Sequence, residues 1–238
     1  MDEAAALARE LEALVATLEQ DVAAWIDTDG DASRVADGAR RLQLLYRALM
    51  RRPQLAQDVL DELDSELRQV VKAHVDAGAK LRELVTPVAS ACALMISEPL
   101  PPRELRRLYA EAEAEFDVPW NVLAAINFAE SRFGRVLGPS PAGALGPMQF
   151  LPRTWDEYGE GGDIMNPRDA ILAAARYLKA LGAATDERAA LFAYNRSESY
   201  VNAVLTYAAE MAFDETAFYS YYFWRVIVAT TAGDVVLA

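Results

Sequence analysis

The chain has 238 residues, of which 53% are hydrophobic, and its formal net charge at pH 7 is −13. This length allows one large domain or two modest ones, and the acidic balance disfavours nonspecific binding to nucleic acid or to an anionic membrane surface. With one Cys and one His, the chain can form no internal disulfide and has too few ligands for a zinc site. If the protein is an enzyme without a cofactor, its general acid or base is expected to be a carboxylate.

The first residues of the chain show no pattern typical of export. The start, MDEAAALARELEALV, is acidic, and its apolar residues are spaced rather than continuous as in a signal peptide. The apolar run Val85–Ile96 is too short to span a bilayer, so we expect no transmembrane segment. It contains Cys92, which we interpret as a buried thiol.

Residues 1–96 are predicted to form a helical hairpin or a small bundle. Apolar residues recur there at spacings of three and four in three successive segments, as on one face of an amphipathic helix. The first two segments end at the breaks Asp27–Ser33 and Arg51–Pro53, and the third runs from Val59 to Val75. The short connections favour antiparallel packing, and these helices are candidates for binding a protein partner.

Two features of this region resemble functional sites but fit them poorly. The segment DTDGD at residues 27–31 resembles the start of a calcium-binding loop, but its glycine comes too early and Gly38 stands where the closing Glu is required. His74 lies on the apolar stripe of its helix. That position is typical of a hydrogen-bonded core histidine rather than of a catalytic one.

The proline-rich segment Ser97–Arg103 predicts a domain boundary. Beyond it, helices are predicted to open at Pro119 and, with Asn166 as the N-cap, at Pro167. The last residues alternate around a Thr-Ala-Gly-Asp turn and predict a small β-hairpin. The chain is thus expected to divide into a helical region, a second domain and an aromatic extension with the hairpin: residues 1–96, 101–211 and 212–238.

An acidic residue, Glu130, shares one face of the predicted helix 119–133 with apolar side chains. Burial there, near the negative end of the helix dipole, is expected to raise the carboxyl pKa and keep the group protonated. A carboxylic acid protonated near neutrality suits the general acid of glycosidic cleavage. The alternative is a buried salt bridge to an arginine such as Arg153 or Arg196.

The loop after this helix, GPSPAGALGPMQF at residues 138–150, is rich in glycine, so its backbone can approach a ligand closely. Gln149 offers both a hydrogen-bond donor and an acceptor, which suits an amide such as an N-acetyl group. Met148 and Phe150 are expected to form an apolar wall beside it.

Four motifs in this order resemble those of the lytic murein transglycosylases of the lysozyme-like superfamily. They are Glu130-Ser131, SPAGALGPMQFLPRTW, NPRDAILAAARYL and AYN, and the resemblance covers residues 101–211. The C-terminal tail is similar to flanking regions of actinobacterial members. The resemblance implies a mainly α, lysozyme-like catalytic domain that binds peptidoglycan glycan strands.

The resemblance also implies the roles of individual residues. Glu130 corresponds to the sole catalytic acid/base. The implied substrate-binding residues are Ser140, a hydrogen-bonding group near the acid and the N-acetylmuramoyl residue, Met148 and Gln149, which line sugar subsites, and Tyr194 and Asn195, which face the acid across the cleft.

The chemistry implied by this family needs neither a cofactor nor a metal. The acid protonates the glycosidic oxygen between N-acetylmuramic acid and N-acetylglucosamine, and the substrate's own 2-acetamido group replaces the second carboxylate of most glycosidases. The ionised glutamate then deprotonates the muramoyl 6-hydroxyl, which closes a 1,6-anhydro ring.

Two alternatives of function remain open at this point. The first is a hydrolytic muramidase of the same fold, in which a second carboxylate positions water; the candidates are Asp156, Glu157, Glu160 and Asp163. The second is a non-catalytic cell-wall-binding or scaffold module whose N-terminal helices recruit partners. The family acts outside the cytoplasm, so an envelope location is expected, although no export signal is visible.

Overall fold

The computed structural model describes residues 3–28, 30–83, 85–91 and 95–237, so Cys92 lies outside the described residues. Over those ranges the chain forms eleven helices and one antiparallel β-hairpin, which confirms the predicted mainly α fold. The elements are α1 (Glu3–Thr28), α2 (Ser33–Arg51), α3 (Pro53–Glu62), α4 (Ser65–Glu83), α5 (Pro102–Phe116), α6 (Trp120–Ser131), α7 (Pro152–Tyr158), α8 (Pro167–Ala180), α9 (Glu187–Tyr194), α10 (Glu198–Phe213), α11 (Thr216–Tyr222), β1 (Ile227–Thr230) and β2 (Gly233–Val236).

The predicted start of α8 is confirmed, whereas the predicted third helix of the N-terminal region is not continuous. The side chain of Asn166 accepts hydrogen bonds from the backbone N–H groups of Arg168 and Asp169, as an N-cap should. In the N-terminal region, the Asp64 carboxylate accepts hydrogen bonds from the backbone N–H groups of residues 66 and 67, at 2.9 and 3.0 Å. This cap begins a new helix, so the apolar stripe from Val59 to Val75 is divided between α3 and α4.

The chain folds into two compact units, and neither is a continuous stretch of sequence. Unit 1 contains residues 1–85 and 210–224, and unit 2 contains residues 86–209 and 225–238. The boundary between the units therefore falls within α10. The C-terminal extension is divided between them, because α11 belongs to unit 1 and the hairpin belongs to unit 2. No helix in the described part of the chain is both long and apolar enough to cross a membrane.

Unit 1 contains a buried polar cluster that involves α2, α4, α10 and α11. The Nδ1 atom of His74 lies 2.9 Å from the hydroxyl oxygen of Tyr221 and 3.3 Å from a carboxylate oxygen of Glu210, and Tyr221 donates a short hydrogen bond to the same carboxylate. The ring of Tyr46 stacks on the imidazole at a centroid distance of 4.2 Å. His74 is fully buried, which confirms that it is a hydrogen-bonded core residue.

Unit 2 is built around α6, whose residues 122–128 are all buried. Small residues of α8, such as Ala173 and Ala174, are fully buried in the same unit and allow close helix packing. The hairpin pairs Ile227 with Val236 and Thr230 with Gly233. Its β1 strand is fixed to the segment before α5, because the backbone N–H of Val88 donates to the carbonyl of residue 229.

Candidate active site

The C-terminal end of α6 is fixed by two consecutive residues in the left-handed region. Arg132 and Phe133 have φ values of 54° and 61°, and their N–H groups donate to the carbonyls of Phe128 and Asn127. Non-glycine residues rarely adopt this conformation, and such positions concentrate at functional sites. The sharp ending leaves Glu130 in the last turn of the helix, next to the loop that follows.

A buried hydrogen-bond network ties this helix end to the glycine-rich loop. The hydroxyl of Ser131 donates to the carbonyl of Pro147 at 2.6 Å, and the side-chain amide of Asn127 donates to the same carbonyl at 2.7 Å. Tyr109 of α5 in turn donates to the amide oxygen of Asn127 at 2.6 Å. Because these polar side chains are buried, each needs its partner, and the network fixes the loop beside Glu130.

The loop itself closes by a backbone bridge between Leu145 and Phe150. Gly146 and Gln149 lie inside this turn with positive φ values of 75° and 50°. A Cβ atom at position 146 would lie 1.9 Å from the carbonyl oxygen of Ile164, so only glycine fits there. The amide nitrogen of Gln149 donates to the carbonyl of residue 146 at 2.9 Å.

Tyr194, the last residue of α9, holds the same loop at the next peptide. Its hydroxyl donates to the carbonyl of Met148 at 2.7 Å. Ser131 and Tyr194 therefore bond the carbonyls of consecutive loop residues, 147 and 148. This arrangement brings the end of α9 close to Glu130, the residue before Ser131.

Glu130 is half-buried, and its burial raises the carboxyl pKa from 4.5 to about 7. The hydroxyl of Tyr200 opposes this shift by stabilising the anion, although no regular hydrogen bond satisfies that buried hydroxyl within the described residues. The pKa of Tyr200 is itself raised well above its usual value by burial and then by the negative charge of Glu130. Tyr194 is affected in the same way, so both hydroxyls lie near the carboxyl group.

The alternative of a buried salt bridge at Glu130 is wrong. Arg153 lies 4.0 Å from Glu157 of its own helix, and Arg196 forms no ion pair with any described residue. Neither arginine contributes to the pKa of Glu130, and neither does another carboxylate. The group is therefore an isolated acid whose protonation is governed by burial.

The other predicted site residues occupy three kinds of position. Ser140 is half-buried, and its hydroxyl accepts a hydrogen bond from the backbone N–H of Ala144 at 3.0 Å, so it shapes the loop. The side chain of Met148 is fully buried and packs beneath the loop. Gln149 and Asn195 are half-buried at the edge of the site. No described residue bonds the side-chain amide of Asn195, which leaves that amide available to a ligand.

The acidic residues after the loop interact with groups other than Glu130. Glu160 pairs with Arg176 at 2.8 Å, and Asp163 accepts a hydrogen bond from the backbone N–H of Met165 at 2.9 Å. The negative charge of Glu157 raises the pKa of Tyr177, although burial of the tyrosine raises that pKa more. Across the described residues, no group of three or more His, Cys, Asp or Glu side chains forms a metal site.

An aromatic cluster adjoins the loop and the end of α9. The ring of Phe150 contacts those of Trp155 and Tyr194 at centroid distances of 5.5 and 6.1 Å. The ring of Tyr177 lies 5.6 Å from that of Tyr194 and 4.7 Å from that of Tyr158. We call these five residues the aromatic cluster; rings of this kind suit the apolar faces of sugars.

Tyr200 and Asn127 contribute to the surroundings of Glu130 but were not predicted from the sequence. Asn127 is a polar residue on an apolar helix, so the argument applied to Glu130 could have identified it too. Tyr200 had no such signal, because an aromatic residue in the first turn of a helix is ordinary. Its position near Glu130 depends on the packing of α10 against α6, which the Asn121 amide, at the start of α6, supports by donating to the carbonyl of residue 208 at 3.0 Å.

Comparison with known proteins shows that the region around this site is similar to one family. Residues 107–216 match the family described as "Transglycosylase SLT domain". The chain is 36% identical over 106 residues to membrane-bound lytic murein transglycosylase F of Thiobacillus denitrificans, covering 41% of this chain and 22% of that protein. It is 37% identical over 73 residues to membrane-bound lytic murein transglycosylase F 2 of Alkalilimnicola ehrlichii, covering 31% of this chain and 16% of that protein.

These matches span about a fifth of the length of the curated relatives. No solved structure matches the chain significantly. The matched region begins within α5 and ends in α11, so it contains the helix end, the loop and the two tyrosines described above. Over residues 107–216, which are somewhat less than half of the chain, the protein is therefore similar to the transglycosylase SLT domain family.

Proposed function

We propose that this protein is a lytic transglycosylase, which cleaves the β-1,4 bond between N-acetylmuramic acid and N-acetylglucosamine in peptidoglycan. The observation that supports it best is the isolated acid Glu130, whose burial raises its pKa to about 7. A carboxyl group with that pKa is protonated often enough to act as an acid and ionised often enough to act as a base near neutrality. The similarity to relatives named lytic murein transglycosylases gives the substrate class.

In the first step, Glu130 donates its proton to the glycosidic oxygen as the bond from the anomeric carbon to that oxygen breaks. The carbonyl oxygen of the 2-acetamido group attacks the anomeric carbon from the other side and forms a cyclic oxazolinium intermediate. Substrate assistance of this kind replaces the second carboxylate of most glycosidases. It suits a site in which no other carboxylate contributes to the pKa of the acid.

In the second step, the ionised Glu130 accepts the proton of the muramoyl 6-hydroxyl. The 6-oxygen then bonds to the anomeric carbon, and the bond from that carbon to the acetamido oxygen breaks. The product is a 1,6-anhydromuramoyl end, Glu130 is protonated again, and no water is consumed. Tyr200 helps this cycle, because its hydroxyl stabilises the anionic form that the first step produces.

The peptidoglycan substrate implies that the protein works in the cell envelope. The two curated relatives are named membrane-bound, which agrees with that location. We propose that Gln149, Asn195 and the aromatic cluster apart from the buried Phe150 contact the sugars, since these side chains are half-buried. We also propose that the N-terminal helices of unit 1 bind a protein partner.

Mass spectrometry of the soluble products released from purified peptidoglycan tests this proposal. Wild-type protein should release muropeptides with anhydromuramoyl ends, and Glu130→Gln should release none, because it cannot transfer a proton. Glu157→Gln is the matched control: its carboxylate is exposed in the same unit, and its product pattern should equal that of the wild type.

Three other results would contradict the proposal. Products with reducing muramic acid ends would establish a hydrolase and require a second carboxylate that positions water. Release of anhydro products by Glu130→Gln would exclude Glu130 as the acid. Binding of strands without cleavage by the wild type would indicate a cell-wall-binding module.

A further inference from the structure

Arg196 lies in the short connection between α9 and α10, at the edge of the candidate site. This connection, residues 195–197, joins two elements whose tyrosines adjoin Glu130: Tyr194 ends α9, and Tyr200 lies in the first turn of α10. An extended residue spans at most about 3.5 Å, so the backbone of Arg196 lies within about 7 Å of that of Tyr194. Its side chain is exposed at this edge.

Arg196 is an unpaired cation within the described part of an acidic chain. Other arginines of unit 2 pair with carboxylates: Arg168 with Glu111, Arg176 with Glu160, and Arg188 with Glu198. No described residue forms an ion pair or a hydrogen bond with the side chain of Arg196. A free guanidinium at the edge of a site is suited to binding a carboxylate through two parallel hydrogen bonds.

The charge of Arg196 acts on the aromatic cluster rather than on the acid. It lowers the pKa of Tyr177, against the larger effect of burial, which raises it. It makes no contribution to the pKa of Glu130. The guanidinium thus lies near Tyr177 of the aromatic cluster, where it can contact a bound strand.

We infer that Arg196 binds a carboxylate on the arm that each N-acetylmuramoyl residue carries at O3. This inference rests on the proposed function. The arm is a lactyl group, which ends in a free carboxylate on bare strands and in a peptide bearing its own carboxylates on intact ones. Arg196 therefore determines specificity for charged muramoyl strands and takes no part in the proton transfers.

The test compares wild type, Arg196→Gln, Arg196→Lys and Arg107→Gln on three kinds of soluble strand. The strands carry intact peptides, free lactyl groups left by an amidase, or carboxylates capped as neutral amides. Arg107→Gln is the control, because it removes the same charge from an exposed position of α5 in the same unit. The measurements are kcat and KM for cleavage, together with Kd for strand binding in a Glu130→Gln background.

For Arg196→Gln on charged strands, we expect KM and Kd to rise about fivefold, as for one lost charge-assisted contact at an exposed site, with kcat nearly unchanged. Arg196→Lys should recover part of this loss, since it restores the charge without the planar fork. Arg107→Gln should behave like the wild type, and on capped strands all four proteins should be equal. Persistence of the effect on bare strands would identify the lactyl carboxylate as the ligand, and its disappearance there would identify the peptide.

Unchanged KM and Kd for Arg196→Gln on charged strands would overturn the inference. An equal loss on charged and capped strands would also overturn it, because the arginine would then only position the connection. Failure of the proposed function gives a different result: the wild type would cut no strand, while Kd in the Glu130→Gln background would still depend on Arg196 and on strand charge.

Discussion

The carboxyl group of Glu130 carries all of the proposed acid-base chemistry, and its pKa determines the pH range in which that chemistry works. Burial raises the pKa to about 7, and the Tyr200 hydroxyl limits the rise. Both effects come from residues that are far from one another in the sequence and close in the fold. At the residue scale, the site is therefore a balance between desolvation of one acid and partial stabilisation of its anion.

Replacing Tyr200 with Phe should extend activity to higher pH. Without the hydroxyl, the Glu130 anion is less stable, so its pKa should rise by about one unit and the alkaline limb of kcat/KM should move upward with it. The pH profile of strand cleavage measures this shift. The control is Tyr158→Phe, which changes a tyrosine of the aromatic cluster that does not act on Glu130 and should leave the alkaline limb of kcat/KM in place. An unchanged alkaline limb in Tyr200→Phe would contradict the role given to the Tyr200 hydroxyl.

Glu130 should also make the fold less stable as pH rises. Its pKa is about 7 in the folded protein against 4.5 without the fold, so between these values the folded state binds the proton more tightly. The tighter binding of this proton stabilises the folded state fully below pH 4.5, and this stabilisation is lost as pH rises through 7. Above that range, Glu130→Gln should be more stable than the wild type by about 2 kcal/mol, after allowance for partial exposure.

Urea unfolding of wild type and Glu130→Gln at pH 4.5, 6 and 8 measures this difference in stability. The two proteins should converge at the lowest pH. Glu157→Gln serves as the control and should follow the wild type at every pH, because its carboxylate is exposed. A constant difference between wild type and Glu130→Gln across this range would mean that the carboxyl group is not desolvated by folding.

At the element scale, the glycine-rich loop is held at consecutive carbonyls by two helices, α6 through Ser131 and α9 through Tyr194. This double attachment explains why the loop tolerates positive φ at Gln149. The hydrogen bonds offset the local strain. The loop is therefore a rigid part of the site, and its conformation should be sensitive to small changes.

Gly146→Ala should disrupt this loop. The new methyl group would meet the carbonyl oxygen of Ile164, and the φ of 75° is unfavourable for alanine, so we expect a loss of more than about 2 kcal/mol of stability together with most of the activity. Gly143→Ala is the matched control, because its φ is 82° but nothing lies within 4 Å of the added carbon. Thermal unfolding and strand cleavage of both variants test the prediction, and equal effects would show that φ alone matters.

The sequence predicted the elements that depend on local patterns and missed those that depend on distant contacts. Periodic apolar residues indicated most of the helices, and Asn166 marked the start of α8. The break at Asp64 was missed because the apolar stripe continues through it. Glu130 stood out as an acid on an apolar face, whereas Tyr200 became visible only when the fold brought its hydroxyl near the Glu130 carboxyl group.

At the scale of the whole molecule, the two units include segments that local sequence did not assign to them. The predicted boundary at 97–103 remains a prediction, but α11 belongs to the same compact unit as residues 1–85. Within unit 1, Trp25 of α1 contacts the rings of Tyr219 and Phe223 at 5.5 and 5.7 Å. No periodicity within α11 indicates that its aromatic side chains pack against the first helix of the chain.

Deleting residues 1–85 should therefore harm the remaining protein. It would uncover the aromatic residues of α11 and leave the buried carboxylate of Glu210 without His74, so we expect exposed apolar surface and self-association. Dye binding and size-exclusion chromatography of the 86–238 fragment measure both effects. The matched fragment for comparison is 86–238 with Tyr219, Tyr221 and Phe223 changed to Ser, which should associate less.

The shared helix α10 has a consequence for synthesis on the ribosome. The four N-terminal helices emerge first, yet their unit lacks α11 until residue 224 has been made. Unit 2 likewise lacks its β-hairpin until residue 236 has been made. Unit 1 therefore cannot finish folding before residues 86–209 of unit 2 have been made, unlike domains arranged one after another. We expect a nascent chain halted near residue 200 to remain open to proteases and chaperones, and unit 1 to become protected only after residues 210–224 have left the ribosome.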